Sequence, residues 1–562
     1  MKKTIQDITK VQGSIYISHF SPSPNGLRIL TEGKILANGE SPQSMVERIV
    51  QALVMEESRF GISTEEISTL AKEFGELLDE KYCLMSTPIS TNAGRHTNKP
   101  LSACTVLDLD LNHDDIKKIE KAIFTTHQYG MGTGFSLNEV TDPVATLRTL
   151  NHIAILSAQT GKEDRPVGNM ATLSVYHPRI LEFVNAKIAS DNMGETWKFN
   201  ISVDCDTNFF NAVKTNGSLT QKDGSIVKAR TILRAICTAS SVCADPGLIF
   251  MEKVEADNPT PCVGHYNSTA PCAEVGLAKG EFCQFAYLNI ARFLTKDLTI
   301  DTDKLKRAVH LLTRVLDNAL EISLENYHDH TSQKIMHQKR KIGIGICGLA
   351  DLFIQKGLYY DSNEARMLAL DIVSLINFES KIASHKLAHF RGSCGAMSQT
   401  IGNEYVSTPS FLERKYTRLD TKYVKSKDWE DLAKKIKETR LLRNVSTVAL
   451  PPTGRSSLTI DASTGIEPIF SRQVYLETHN KLTQTQQEFI QTATEISSNA
   501  HIQMAANIQK GVDESISKTI NLPAHSTPEE IEQIYLLAWD SGLKGISIYR
   551  EGSKKFQPKQ LK

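Results

Sequence analysis

The chain has 562 residues, 40% hydrophobic and 23% charged, with 64 Lys+Arg matched by 64 Asp+Glu for a formal net charge of zero. This is the composition of a water-soluble globular protein. The absence of a basic excess excludes a nucleic-acid track or a polybasic membrane patch as the main function, and no stretch reaches the length of a membrane span.

The opening stretch "MKKTIQDITKVQGSIYISHF" contains no uninterrupted apolar core, so no secretory signal is expected and the setting reads as cytoplasmic. Residues 1–82 are predicted to be helical. "SPQSMVERIVQALVMEESRFG" and "STEEISTLAKEFGELLDEKY" repeat apolar residues every three or four positions after Ser/Thr caps. From residue 83 onward the texture changes to short apolar runs between Gly, Asn and Pro: "SACTVLDLDL", "FNISVDC", "GLIFMEKV", "KIGIGICGLADLF" and "NVSTVALPPTG". Helical patterns such as "DTDKLKRAVHLLTRVLDNALEISLENY" alternate with them, which predicts an α/β fold with parallel strands. The last helix, "TPEEIEQIYLLAWDSGLKG", opens on a capping box from Thr527 to Glu530 and ends near Gly542. One large domain at 83–562 with an N-terminal helical region at 1–82 is the expected division.

Ten cysteines are scattered without a CxxC pair, so a zinc ribbon or thioredoxin-type motif is not expected. His328, His330 and His337 in "YHDHTSQKIMHQ" read as solvated residues at a helix end, and no metal site is expected. Two glycine-rich stretches, "YGMGTGFS" (129–136) and "PPTGRSSLT" (451–459), read as loops whose backbone N–H groups could approach an anion. Arg455 adds a guanidinium to the second. Neither matches the P-loop or dinucleotide pattern.

"PPTGRSSLTIDASTGIEPIF" resembles the "PTG-x-x-S … SSGIEPIF" stretch of ribonucleotide reductases. In the same order as in that family, "LSACTVL" resembles the segment of the first redox cysteine and "GMGTGFS" the glycine-rich stretch after it. "ADPGLIFMEKVEADNPTP" then precedes "STAPCAE", where the family reads "TNPCGE". "KIGIGICGLADLF" and "INLPAHSTPEEIEQIYLLAWDSGLKGISIYREGS" look most like the adenosylcobalamin-dependent class.

This resemblance, over roughly residues 80–555, implies a ten-stranded α/β barrel with a central finger loop and an N-terminal helical cap. It implies that Cys272 becomes a thiyl radical and that Glu274 takes the 3′-hydroxyl proton. Cys104 and Cys283 would be the pair that reduces the 2′-carbon and ends as a disulfide. Ser102, Ala103, Gly130, Gly132, Ala270, Pro452, Thr453, Gly454, Arg455 and Ser456 would line the ribonucleotide site. The chemistry suits these residue types: a carboxylate serves as general base, and a dithiol supplies two electrons at an accessible potential.

Adenosylcobalamin is the implied radical source. The family is understood to bind it without a D-x-H-x-x-G histidine motif, and none is present. Tyr535 and Tyr549 are too far apart to form the tyrosine pair of a radical relay from a second subunit, and "YREGSKKFQPKQLK" offers no glycyl-radical motif. An external, thioredoxin-like thiol reductant is implied, and a homodimer with an effector site at its interface stays open.

Three departures from the family pattern keep other readings open. Ala270 stands where the family has asparagine, Arg455 where threonine is usual, and "QPKQLK" lacks the cysteine pair that reloads the active-site disulfide. The alternatives are a radical enzyme redirected to another nucleotide or sugar by dehydration, epimerisation or deoxygenation, and a silent nucleotide-binding paralogue.

Overall fold

The computed structural model describes residues 14–95, 97–160, 167–191, 196–327, 329–398, 400–401, 404–405 and 408–553. Three N-terminal helices, Pro24–Glu32, Pro42–Met55 and Thr64–Asp79, begin where Ser23, Ser41 and Ser63 accept a hydrogen bond from a backbone amide three residues on. Such serine caps satisfy donors that an isolated helix end would leave unpaired. Met45, Val46, Ile49, Val50 and Leu53 form the buried stripe of the second helix.

After these helices the chain alternates strand and helix. Eight strands pair in the spatial order Phe282–Cys283, Cys104–Val106, Gly132–Ser136, Asn169–Ser174, Phe199–Asp204, Gly247–Ile249, Gly545–Arg550, Thr519–Leu522. The run from Cys104–Val106 to Gly247–Ile249 is parallel, with helices Ile116–Gln128, Pro143–Gln159 and Ile180–Asp191 as its first crossovers. Gly545–Arg550 joins it antiparallel and Thr519–Leu522 adds parallel to that.

A second sheet holds Cys83–Met85, Phe285–Asn289 and Gly343–Cys347, the last two parallel. Only Gln284 separates Phe282–Cys283 of the first sheet from Phe285–Asn289 of the second. The expected strand in "NVSTVALPPTG" is reduced to two isolated parallel bridges, Ile344 with Val448 and Leu450 with Ile516. The fold is therefore mixed α/β with a large, mainly parallel sheet.

One contiguous hydrophobic core runs from Phe20 to Ile548, so the N-terminal helices share it with the sheets. Glu57 strengthens the join. It receives Arg314 and Arg391 from the helices Thr302–Leu324 and Asn363–Arg391, and Arg391 also reaches Asp317 at 2.8 Å. The last helix runs Pro528–Asp540, and its capping box between Thr527 and Glu530 is formed as the sequence predicts.

The stretch 129–136 departs from expectation. Gly132–Ser136 is a buried strand, not an open loop, and Gly130 turns the chain into it with φ +74°. Its glycines answer to close packing: a β-carbon on Gly134 would lie 2.2 Å from the Thr269 carbonyl oxygen, and one on Gly132 would lie 2.5 Å from that of Gly168. Gly134→Ala is accordingly expected to destabilise the fold by about 1–3 kcal/mol through overpacking. Gly168→Ala, whose β-carbon meets only Pro271 at 3.6 Å, is expected to stay within about 0.5 kcal/mol of the parent. Thermal unfolding of both variants checks this contrast.

Candidate active site

Cys272 sits at the tip of a β-hairpin. Ser268–Thr269 pairs antiparallel with Gly276–Leu277, and the amide of Ala270 donates to Val275 O at 3.0 Å. The amide of Ala273 then closes a four-residue turn onto Ala270 O at 2.9 Å. Proline at its second position presets the backbone of the turn, and Ala273 takes φ +61°, which brings the chain back into the second strand.

The hairpin lies against the strands whose glycines make room for it. Besides the Thr269–Gly134 approach, a β-carbon on Gly132 would lie 2.8 Å from Pro271 Cγ, and Asn200 Nδ2 donates to Pro271 O at 3.3 Å. On the other side, Ser515 N donates to Glu274 O at 2.9 Å, and a β-carbon on Gly545 would lie 3.8 Å from that of Ala273. Of the ten cysteines, all within the described residues, Cys272 is the exposed one.

Cys104 and Cys283 face each other across an antiparallel pair. Directly opposed residues of such a pair stand about 4.5–5.5 Å apart at Cα, inside the range of about 4.4–6.8 Å that a disulfide spans without backbone movement. Cys283 Sγ is 3.6 Å from Cys104 O, and none of the ten cysteines is in a disulfide. Burial pushes the Cys283 thiol well above its ordinary range; hydrogen bonding with the Cys104 thiol and the nearby charges of Cys104 and Glu274 push the same way. Cys104 is half-buried, and its sulfur lies 3.5 Å from the β-carbon position of Gly132, the same position that Pro271 approaches. Gly132 is thus the point at which the hairpin tip and the cysteine pair meet.

Glu274 is 3% exposed and its Oε2 has no hydrogen-bond partner among the described residues. Burial raises its pKa from 4.5 to about 7, and the amides of Glu274 and Cys272, which favour the ionised form, offset only part of that. A carboxyl group poised there can accept or return a proton near neutral pH.

The remaining predicted residues divide. Ser102 is fully buried with its hydroxyl 2.8 Å from Tyr327 Oη, in a network with Gln284 and Ser323, so its side chain is engaged away from the cysteines. Ala103 is also buried, and its amide donates to Cys283 O at 2.8 Å, which fixes the cysteine register. Ala270 is completely buried within the turn. The segment at 451–459 is a turn leading into the short helix Gly454–Leu458, with φ +57° at Thr453 and +43° at Gly454. Its anion cradle is narrower than the sequence suggests, because the amides of Gly454 and Ser456 already bond Pro452 O and Thr453 O. Ser456 Oγ pairs with Thr87 Oγ1 at 3.1 Å. Pro452 is half-buried, and Gly454 and Arg455 are exposed. His330 and His337 lie exposed on the helix His330–Lys339, and His328 lies outside the described residues.

Sequence reasoning missed the polar face beside the hairpin. Thr519 and Asn521 pair in register with Ser547 and Tyr549, so all four point to one side, while Ile520, Leu522, Ile546 and Ile548 are buried on the other. Asn521 Nδ2 and Tyr549 Oη are buried without a partner among the described residues. The signal was legible as the period-two alternation in "TINL" and "GISIYR".

The raised pKa of Glu274 makes stability depend on pH. Between the unfolded value of 4.5 and the folded value of about 7, the folded state holds a proton that the unfolded state has lost. Stability therefore falls as pH rises through that window, and the full penalty stands above it. Glu274→Gln carries no such penalty. It is expected to be more stable than the parent at pH 8 by up to about 3 kcal/mol and to lose that advantage below pH 5, as read from unfolding curves at both pH values.

The chain is similar to known proteins over most of its length. The family model for the ribonucleotide reductase barrel domain matches residues 102–480 and 473–549. A vitamin B12-dependent ribonucleoside-diphosphate reductase from Thermoplasma acidophilum is 30% identical over 543 residues, covering 86% of this chain and 65% of the relative. The protein of that name from Mycobacterium tuberculosis is 28% identical over 545 residues, covering 87% of this chain and 73% of the relative. A vitamin B12-dependent ribonucleotide reductase from Streptomyces coelicolor is 24% identical over 647 residues, covering 96% and 66%. The chain thus spans 65% of the length of the Thermoplasma relative and comparable shares of the others. No helix among the described residues is long and apolar enough to cross a membrane. On the extent of the match to the barrel-domain model, the chain belongs to the ribonucleotide reductase family.

Proposed function

We propose that the protein reduces ribonucleotides to 2′-deoxyribonucleotides by thiyl-radical chemistry dependent on adenosylcobalamin. The observation that carries this reading is that the hairpin of Cys272 and Glu274 meets the Cys104–Cys283 pair at Gly132, through Pro271 on one side and the Cys104 sulfur on the other, with the names of the relatives in support.

In this reading the Cys272 sulfur, as a thiyl radical, takes the hydrogen atom from the ribose 3′-carbon. Glu274 accepts the 3′-hydroxyl proton, and the 2′-hydroxyl leaves as water. Cys104 and Cys283 supply two electrons and two protons in forming their disulfide, and Cys272 returns the hydrogen atom to C3′. The balance is one ribonucleotide and two thiols in, one deoxyribonucleotide, one disulfide and one water out. The buried carboxyl suits its part, because its pKa near 7 lets it cycle between both protonation states. The exposed Arg455 and the turn at 452–456 would hold the nucleotide phosphates, with Gly130, Gly132 and the buried Ala103 and Ala270 shaping the wall at the sugar.

When bound, adenosylcobalamin supplies an organic radical by homolysis of its cobalt–carbon bond. The residues fit such a group: Cys272 is exposed at the hairpin tip, and the half-open face of Thr519, Asn521, Ser547 and Tyr549, on the same side of the sheet as the hairpin, offers two orphaned polar atoms. Those four side chains would hold it.

We infer that the two sheets belong to one ten-stranded barrel with hairpin 268–277 as its finger loop and residues 1–82 as a helical cap on the catalytic barrel. Continuity of 282–289 through Gln284 and the bridges at Ile344–Val448 and Leu450–Ile516 support closure. An external thiol reductant, a cytoplasmic setting and a homodimer accompany the reading.

The test is anaerobic incubation with adenosylcobalamin, excess dithiol and each ribonucleoside di- and triphosphate, with products identified by mass spectrometry. A 2′-deoxynucleotide that disappears with Cys272→Ala is expected. Consumption of nucleotide to any other product, or nucleotide binding without turnover, would contradict the proposal.

A further inference from the structure

Four charged side chains lie buried beneath the hairpin: Lys339, Lys341, Glu281 and Glu514, each with a side chain no more than 2% exposed. Lys341 Nζ lies 3.1 Å from Glu281 Oε1 and 3.1 Å from Glu514 Oε1, and it donates to Tyr266 Oη at 3.0 Å and to Gly276 O at 2.8 Å. Lys339 Nζ donates to Glu281 Oε2 at 3.0 Å and to Gly264 O at 3.3 Å. Tyr266 Oη donates to Glu514 Oε1 at 3.3 Å, and its ring packs where a β-carbon on Gly276 would lie, 2.5 Å away. Burial pulls the Lys341 ammonium towards neutrality, but Glu281 and Glu514 outweigh it and raise its pKa above the ordinary value.

Burying two ion pairs is a poor way to gain stability, since desolvation offsets most of the attraction and a packed apolar cluster does as well. What the cluster does supply is fixed relative position. Gly276 is in the second strand of the hairpin, two residues after Glu274. Glu281 stands two residues before Cys283, and its carbonyl accepts Thr105 Oγ1 at 3.0 Å and Val106 N at 3.3 Å from the strand that carries Cys104. Glu514 precedes Ser515, whose amide holds Glu274 O. One ammonium therefore contacts the hairpin of Cys272 and Glu274, the strand of Cys283, and the segment that clasps Glu274 from the far side.

We propose that Lys341, with Tyr266 and Glu514, is a positioning device that sets the Cys272 hairpin against the Cys104–Cys283 pair. The proposal rests on the reductase reading for its catalytic consequence and on the contacts above for its structural one. Misplacement of reacting groups by about 1 Å costs about 10²-fold in rate, so a site of this kind needs such an anchor.

The test uses the full chain with two variants. Tyr266→Phe removes one hydroxyl and keeps the ring. The double variant Lys341→Met/Glu514→Gln removes one positive and one negative charge together, leaving the Lys339–Glu281 pair intact and no lone charge buried. Hydrogen exchange read by mass spectrometry on peptides spanning 266–278 is compared with strands Asn169–Ser174 and Phe199–Asp204, alongside kcat and KM. The double variant is expected to lose about tenfold or more of the hairpin's protection with the reference strands unchanged. Its kcat is expected to fall by about 10²-fold with little change in KM, and Tyr266→Phe should lie between it and the parent. Unchanged hairpin protection would overturn the proposal, as would a loosened hairpin that still turns over at the parental rate. If the parent chain makes no deoxynucleotide, the reductase reading fails, and the exchange comparison alone still decides whether the cluster holds the hairpin.

Discussion

The carbonyl of Thr269 occupies the space where a β-carbon on Gly134 would be, and that close approach determines where Cys272 can stand. A hairpin seated on a strand without side chains comes nearer than side-chain packing would allow. Pro271 then settles against Gly132, whose other neighbour is the sulfur of Cys104. The meeting of the hairpin of Cys272 and Glu274 with the Cys104–Cys283 pair follows from two missing methyl groups. The glycines of "GMGTGFS" thus serve backbone approach, a role distinct from the anion-cradling one that their spacing first suggests.

Desolvation does the rest of the chemical work. The environment that buries Cys283 and Glu274 raises both pKa values, which keeps one group a thiol and leaves the other free to gain or lose a proton near neutrality. Neighbouring buried charges are treated differently. Asp317 is surrounded by Arg340, Arg391 and Arg443, and Glu281 by Lys339 and Lys341, so these carboxyl groups are held below their ordinary range despite burial. Glu274 has no cation among its influences. That difference separates the carboxylate available for proton transfer from those committed to holding the fold.

Much of this was legible in the sequence because local rules and tertiary packing agreed. Serine caps and the Thr527 box placed the helices, and apolar runs placed most strands. The motif around Cys272 and Glu274 marked the hairpin, and the structure brings Cys104 and Cys283 into direct register with each other. What escaped was decided by contacts distant in sequence. Ser102 lies in the motif of the first redox cysteine, yet Tyr327 claims its hydroxyl. The turn at 451–459 has anion-loop composition, but its own carbonyls take up the amides of Gly454, Ser456 and Thr459. Lys341 and Glu514 have no local pattern to mark them, since only the folded chain brings them to Gly276.

The proposed reaction begins at Cys272 and draws its electrons from the thiols of Cys104 and Cys283. It is tested most directly by a single turnover without external reductant, followed by alkylation of the remaining thiols and peptide mapping of the disulfides. One Cys104–Cys283 disulfide is expected for each deoxynucleotide formed, with Cys272 recovered as a thiol. Deoxynucleotide formation with both cysteines still reduced, or with the disulfide elsewhere among the ten, would contradict it.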